Sequence, residues 1–316
     1  MGRLVDGKWT TTTLRADPQG RFLREATRFR NQIRADGSTP YSPQRGRYHL
    51  YVSLACPWAH RTLLARHLRG LESVVSLSVV HPHMGENGWE FRDGAGCSAD
   101  HVNHARFLRE IYVKSDPHYT GTVTVPVLWD IQTSSIVCNE SRLILRMLNR
   151  AFEPFAQGTA NLSPPELEAD LDREMDALYE SVNNGVYRVG FARTQVAYDE
   201  AVSQLFKALD HYEARLSQSR YLFGATLTEA DLCLFTTLLR FDVVYHYHFK
   251  CNLRRLTDYP NLWGFTRDIY QLPGVSEICN LDHIKQHYYT SHPDLNPRGI
   301  IPVGPTIDLD APHGRS

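Results

Sequence analysis

The stretch YHLYVSLACPWAHRTLLARHLRGLESVVSLSVV, residues 48–80, constrains the fold more than any other part of the chain. A short apolar run predicts a strand over about 48–53. A helical pattern follows over about 57–69, and a valine-rich run then reads as a second strand. Two strands joined by a crossover helix in so few residues form a parallel βαβ unit of right-handed connection. The N-terminal part of the chain is therefore α/β.

The turn from the first strand into the helix carries chemistry. In SLACPWAHR, Cys56 stands at the start of the helix with Pro57 at the first helical position. Proline fits there because that N–H is not needed. A thiol at a helix N-terminus feels the positive end of the helix dipole and unpaired N–H groups, both of which favour the nucleophilic thiolate. His60 and Arg61, one turn on, add positive potential. A buried packing cysteine is the competing reading. The motif is C-P-W-A, with Ala59 where a dithiol redox motif has its second cysteine. An oxidised Cys56 then has no local partner, and an external thiol such as glutathione resolves it unless another cysteine of the chain comes close in space.

Further along, TVTVPVLWDIQTSSIVCNESRLILRML reads as strand, turn, strand and helix. Pro126 falls inside the first strand, where proline marks an edge, a bulge or a cis bond. With a cis bond there, Val125 presents its N–H and C=O to a bound thiol peptide. An ordinary edge-strand proline is the alternative. Asn139 is the expected helix N-cap, with Glu140 and Ser141 in the first turn. A helix start with a serine binds a carboxylate and Glu140 binds an ammonium, a pair that suits a γ-glutamyl end. Capping alone also accounts for Asn139 and Ser141.

From residue 165 to 290 the texture turns helical, with patterns in PELEADLDREMDALYESVNN, AYDEAVSQLFKALDHYEARLSQS and TEADLCLFTTLLRFDVVYHY. Thr228 and Asp231 form a capping-type start. The expected plan is a polar extension over 1–45, an α/β domain over 46–150, an all-α domain over 165–290, and an irregular tail over 291–316. The aromatic residues Tyr179, Tyr187, Tyr245, Tyr247, Tyr288 and Tyr289 gather in the helical half. Most should pack, and a few hydroxyls suit an oxygenated aromatic ligand.

Composition narrows the function classes. With 316 residues the chain is long for one core. A net charge of −1 lacks the basic footprint of a nucleic-acid binder. No apolar run reaches membrane-spanning length. The first residues lack the apolar core of a signal peptide, and Asp6 stands where a myristoylation motif needs Ser or Thr. Cysteines at 56, 97, 138, 233, 251 and 279 form no disulfide framework, so a cytoplasmic protein with reduced thiols is expected. GAGCSA, residues 94–99, follows no apolar strand and is a poor dinucleotide fingerprint. The close histidine pairs, 81 and 83, 246 and 248, 283 and 287, join no metal-ligand cluster of familiar spacing.

These features together resemble the cytosolic glutathione transferases: the cysteine-led α/β domain, TVPV, NES, LTEADLCLF and YPNLWGFTRDIYQLPGV. ACPWAHR, VVHPHMGENGWEF, DPHYTGTVTVPVLWD, NNGVYRVGFA, FDVVYHYHFKCN and HIKQHYYTSHPDLNPRGIIPVGP are similar, more narrowly, to the glutathionyl-hydroquinone reductases, the xi-class glutathione transferases. The likeness runs from about residue 40 to 305. It implies a thioredoxin-like N-terminal domain, a helical C-terminal domain and a homodimer. Cys56 matches the family nucleophile. Trp89, Val125, Glu140 and Ser141 match its glutathione contacts, and Tyr187, Tyr245 and Tyr288 match residues facing the hydroquinone ring. Relatives often carry a base in YTG-x-VTVPV, where this chain has Thr122. That departure bears on glutathione binding more than on chemistry, and another arginine can supply the cation. The implied reaction is reductive removal of glutathione from a glutathionyl-hydroquinone, with glutathione as co-substrate and no permanent cofactor. A general thiol transferase or dehydroascorbate reductase, and a non-enzymatic binding module, are the other two readings.

Overall fold

The computed structural model describes residues 2–11 and 16–315. Its N-terminal residues, expected as an irregular polar extension, form a hairpin, β1 (Gly2–Val5) and β2 (Lys8–Thr11). The ladder closes at Val5 opposite Lys8, leaving Asp6 and Gly7 as a two-residue loop. Both have positive φ, 48° and 70°, the type I′ turn that matches strand twist and favours Asp-Gly. At Gly7 a Cβ would meet the Pro117 carbonyl oxygen at 2.0 Å, so both conformation and space require glycine.

The stretch 48–80 folds as its pattern predicts: β3 (Tyr48–Val52), α1 (Pro57–Leu68) and β4 (Ser76–Val79), with β3 and β4 parallel. α2 (Leu108–Ser115) follows a long irregular stretch. β5 (Gly121–Thr122) pairs with β1, making a three-stranded sheet of order β2-β1-β5. β6 (Val127–Asp130) and β7 (Ser135–Cys138) extend the other sheet to the order β4-β3-β6-β7, with β6 antiparallel to both its neighbours. Every residue of β3 and β6 is buried, as expected for central strands covered on both faces. α3 (Ser141–Arg150) packs against α1. Pro126 precedes β6 instead of lying inside a strand, and TVTV contributes only Thr122 to a ladder.

The chain divides into two compact units: 2–11 with 25–160, and 16–24 with 161–315, among the described residues. The extension expected over 1–45 is thus shared between them.

The second unit is helical: α4 (Glu168–Leu178), α5 (Gly185–Gly190), α6 (Gln195–Leu216), α7 (Glu229–Leu238), α8 (His246–His248), α9 (Pro260–Tyr270) and α10 (Leu281–Ser291). π-helical turns occupy Tyr179–Asn183 and Phe241–Tyr245. α7 is buried along its whole length, so it needs no polar face. Its start is a reciprocal cap. The Thr228 N–H and hydroxyl donate to Asp231 Oδ2 at 2.8 and 2.7 Å, and the Leu222 N–H donates to Oδ1 at 2.8 Å. Burial nevertheless pushes the Asp231 carboxyl up to about 6. Beyond Ser291 the described tail holds no helix or strand. Arg315 anchors its end, donating to the carbonyl of Leu216, the last residue of α6, at 2.9 Å and to that of Arg220 in the following loop at 2.8 Å.

Candidate active site

Cys56 is the N-cap of α1, with extended backbone (φ −80°, ψ 122°) and proline at the first helical position. A tight turn delivers it there: the Cys56 N–H donates to Ser53 O at 3.2 Å, and Cys56 O accepts from the His60 N–H at 2.9 Å. The first turn of α1 has no acidic side chain, so nothing there opposes the positive end of the dipole. His60 and Arg61 are both buried, and the Arg61 guanidinium lies 4.7 Å from the Trp58 ring centroid. Cys56 is half-buried, and none of the six cysteines is in a disulfide.

The Val125–Pro126 peptide is cis. It sets Val125 just before β6, where its carbonyl oxygen lies 3.7 Å from Cys56 Sγ. The structure thus brings the thiol and the main chain of Val125 together. Tyr112, which the sequence reading did not single out, braces this segment. Its hydroxyl donates to Thr124 O at 2.8 Å and accepts from the Thr124 N–H at 3.2 Å and Asn139 Nδ2 at 3.0 Å. One buried phenol therefore ties the residue before Val125 to the residue before Glu140.

At α3 the expected cap moves by one residue. Glu140, not Asn139, is the N-cap, its Oε1 accepting from the Arg142 N–H at 3.4 Å. Asn139 is used differently: its Oδ1 accepts from the Phe29 N–H at 3.2 Å while its amide reaches Tyr112. Ser141 is the first helical residue and is buried. Thr27 Oγ1 donates to Glu140 Oε2 at 3.0 Å, so residues 25–30 of the extension run beside this helix start. Trp89 is buried in the same unit and accepts the Leu108 N–H through its carbonyl at 3.0 Å.

In the helical unit Tyr187, Tyr245 and Tyr288 come together although they are far apart in the chain. Tyr288 is the hub, its hydroxyl 2.6 Å from that of Tyr187 and 3.0 Å from that of Tyr245. The π-helical turns help to aim them. In the second, the Tyr245 N–H reaches back five residues to Arg240 O at 3.2 Å, a wider turn of the sort often found at functional sites. The Tyr245 ring stacks on Phe249 at 5.4 Å, and the Arg24 guanidinium lies 4.6 Å from the Tyr187 centroid. Gly190 makes room, since a Cβ there would sit 2.2 Å from the Phe249 ring. Burial raises Tyr245 and Tyr288 well above the usual phenol range, so both stay protonated as donors. Tyr289 instead donates to Val243 O at 3.2 Å, and Tyr247 is exposed.

One histidine pair joins residues far apart in the sequence. His248 Nε2 lies 3.2 Å from His292 Nδ1, and the His292 ring packs 5.6 Å from Tyr288. Burial lowers His248 to about 4 and His292 well below its ordinary value. The unfolded imidazole binds a proton near 6.5 while the folded one does not, so stability falls as pH drops from about 6.5 towards 4. His248 alone accounts for a loss on the order of 3 kcal/mol across that window. Urea unfolding at a series of pH values should show it, and His248→Phe should flatten the profile. An equally steep profile in that variant would assign the acid sensitivity elsewhere.

Among the described residues, no group of three or more His, Cys, Asp or Glu is placed to hold a metal, and no helix is long and apolar enough to cross a membrane.

Comparison with known proteins bears on the whole chain. The glutathione S-transferase N-terminal domain family matches residues 55–151, and the glutathione S-transferase C-terminal domain family matches residues 195–268. The chain is 51% identical to the glutathionyl-hydroquinone reductase YqjG of Escherichia coli, covering 100% of this chain and 98% of the relative. The glutathione-bound structure of YqjG superposes with a TM-score of 0.91, covering 99% of each chain. This chain is 47% identical to the glutathionyl-hydroquinone reductase PcpF of Sphingobium chlorophenolicum, over 98% of both chains. A Xi class glutathione transferase from Natrialba magadii is 50% identical, with a TM-score of 0.94, covering 100% of this chain and 96% of the other.

Proposed function

The chain belongs to the glutathionyl-hydroquinone reductases, the Xi class of the glutathione transferases, and from that premise we propose that it reduces S-glutathionyl-hydroquinones to hydroquinones with Cys56 as the nucleophile. The Cys56 thiolate attacks the sulfur of the conjugate. The carbon–sulfur bond breaks, the ring carbon takes a proton, and Cys56 is left in a mixed disulfide with glutathione. A second glutathione thiolate attacks that disulfide, releasing oxidised glutathione and restoring Cys56. The two electrons that reduce the ring carbon come from the conjugate's own sulfur and from the thiolate of one free glutathione, and the two sulfurs leave together as one disulfide.

The observation that carries this reading is the lone thiol at the N-terminus of α1, facing the carbonyl of Val125 across 3.7 Å, with alanine in place of a resolving cysteine. Val125 pairs with the peptide backbone of glutathione. Glu140 and Ser141 take its γ-glutamyl end, and Trp89 completes the contacts. Tyr187, Tyr245 and Tyr288 hydrogen-bond the ring oxygens and supply the proton to the ring. Glutathione is the co-substrate, and the protein acts as a cytoplasmic homodimer. The compartment is supported by six cysteines with no disulfide among them.

The test is intact mass measurement during turnover with glutathionyl-menadiol and limiting glutathione. A single glutathione adduct on Cys56 should accumulate and vanish when glutathione is added. Turnover with no adduct, or with a disulfide from Cys56 to another cysteine of the chain, overturns the mechanism.

A further inference from the structure

Glutathione carries two carboxylates, yet neither Val125, Glu140 nor Ser141 brings a cation to it. Position 122, three residues before Val125, is threonine and brings none either. The N-terminal hairpin puts a base beside it. β1 and β5 are antiparallel with Arg3 directly opposite Thr122. Opposed residues project from the same face of a sheet with Cβ atoms about 4.5–5.5 Å apart. Arg3 therefore delivers a guanidinium to the side of the ladder from which a base at 122 would project.

The surroundings of Arg3 are built but incomplete. Its Nη2 pairs with Glu25 Oε1 at 3.1 Å, and the two side chains are only 13% and 16% exposed. Arg3 Nε and Glu25 Oε2 are both buried without a hydrogen-bond partner. A guanidinium offers five donors in a rigid fork. One hydrogen bond to Glu25 leaves much of its desolvation uncompensated. A ligand carboxylate adds acceptors for the guanidinium donors that Glu25 leaves over, though not a donor for Glu25 Oε2. The neighbouring residues lead to the same ligand, since two positions beyond Glu25 the Thr27 hydroxyl donates to Glu140. Arg30, the cation nearer Glu140 at 3.9 Å, is 55% exposed and less well held.

We propose that Arg3 binds a carboxylate of glutathione, supplying from the extension the charge that Thr122 lacks. The inference rests on the glutathione-dependent reading above and adds a specificity residue to it. Arg3 then selects glutathione over neutral thiols, and the hairpin becomes part of the binding site.

Calorimetric titration of glutathione, and of its two mono-amides, tests this. Arg3→Met should weaken glutathione binding on the order of 10-fold or more, the scale of a lost charge-assisted hydrogen bond. Adding Thr122→Arg should restore most of it, which a merely structural strut would not allow. Wild type should lose a similar factor on one mono-amide, and Arg3→Met should not distinguish that mono-amide from glutathione. If Arg3→Met is poorly folded because Glu25 is left unpaired, Arg3→Met with Glu25→Leu removes both charges and should show the same loss. Unchanged affinity in either variant overturns the proposal. So does a loss that Thr122→Arg fails to recover, or one produced by Arg30→Met instead. Wild type that binds no glutathione overturns the underlying reading as well, and that outcome is visible before any variant is made.

Discussion

Cys56→Ser should lose turnover of glutathionyl-hydroquinones by at least ~10³-fold, because a serine hydroxyl neither ionises near neutral pH nor forms a disulfide. The fold should not suffer. Cys56 is an N-cap, and serine is among the preferred residues there. Glutathione should still bind, since Val125, Glu140 and Ser141 are untouched. The expected signature is retained affinity with chemistry gone. Steady-state rates with calorimetry check it. Substantial activity in the serine variant would remove Cys56 from the mechanism and leave the fold assignment standing.

Tyr288→Phe should have the second largest effect. Its hydroxyl lies 2.6 Å from that of Tyr187 and 3.0 Å from that of Tyr245, so one deletion takes the shared partner from both. If the cluster donates the proton that the ring carbon gains, turnover of aryl conjugates should fall by about 10²-fold, within the range for general acid catalysis. Exchange with a small mixed disulfide needs no ring proton and should stay near wild type. Tyr245→Phe leaves the shorter bond, between Tyr187 and Tyr288, in place and should cost less. Two buried hydroxyls lose a partner in Tyr288→Phe, so a stability loss of about 1–3 kcal/mol is expected alongside. Comparing the two substrate classes separates that loss from the chemistry. A uniform fall on both would mean that the cluster only holds the helices together, and a general thiol transferase would then describe the protein better.

How much of this was legible before the structure differs from residue to residue. Cys56 was, because strand, turn, proline and helix follow one another within a dozen positions, and local steric rules suffice. The β1–β2 hairpin was not, because only the Asp6-Gly7 pair marks it and the rest of the extension is polar and without periodicity. The cap at Glu140 lay one residue from where capping preference put it. Asn139 was claimed by two partners distant in sequence, Phe29 and Tyr112. Tyr187, Tyr245 and Tyr288 were singled out only through resemblance to known chains, since nothing in their spacing separates them from Tyr179, Tyr247 or Tyr289.

The sequence by itself determined the local chemistry: a single thiol at a helix start with no second cysteine beside it, and an acid and a serine opening another helix. Neighbouring residues fix such features because helix and turn geometry leave few alternatives over a handful of bonds. Only the tertiary structure decided which distant groups meet: Cys56 with Val125, Tyr112 with Thr124 and Asn139, three phenols around Tyr288, and Arg3 opposite Thr122. Those meetings depend on strand register and helix packing. Both are set by burying side chains from the whole chain at once, and no short window contains that information.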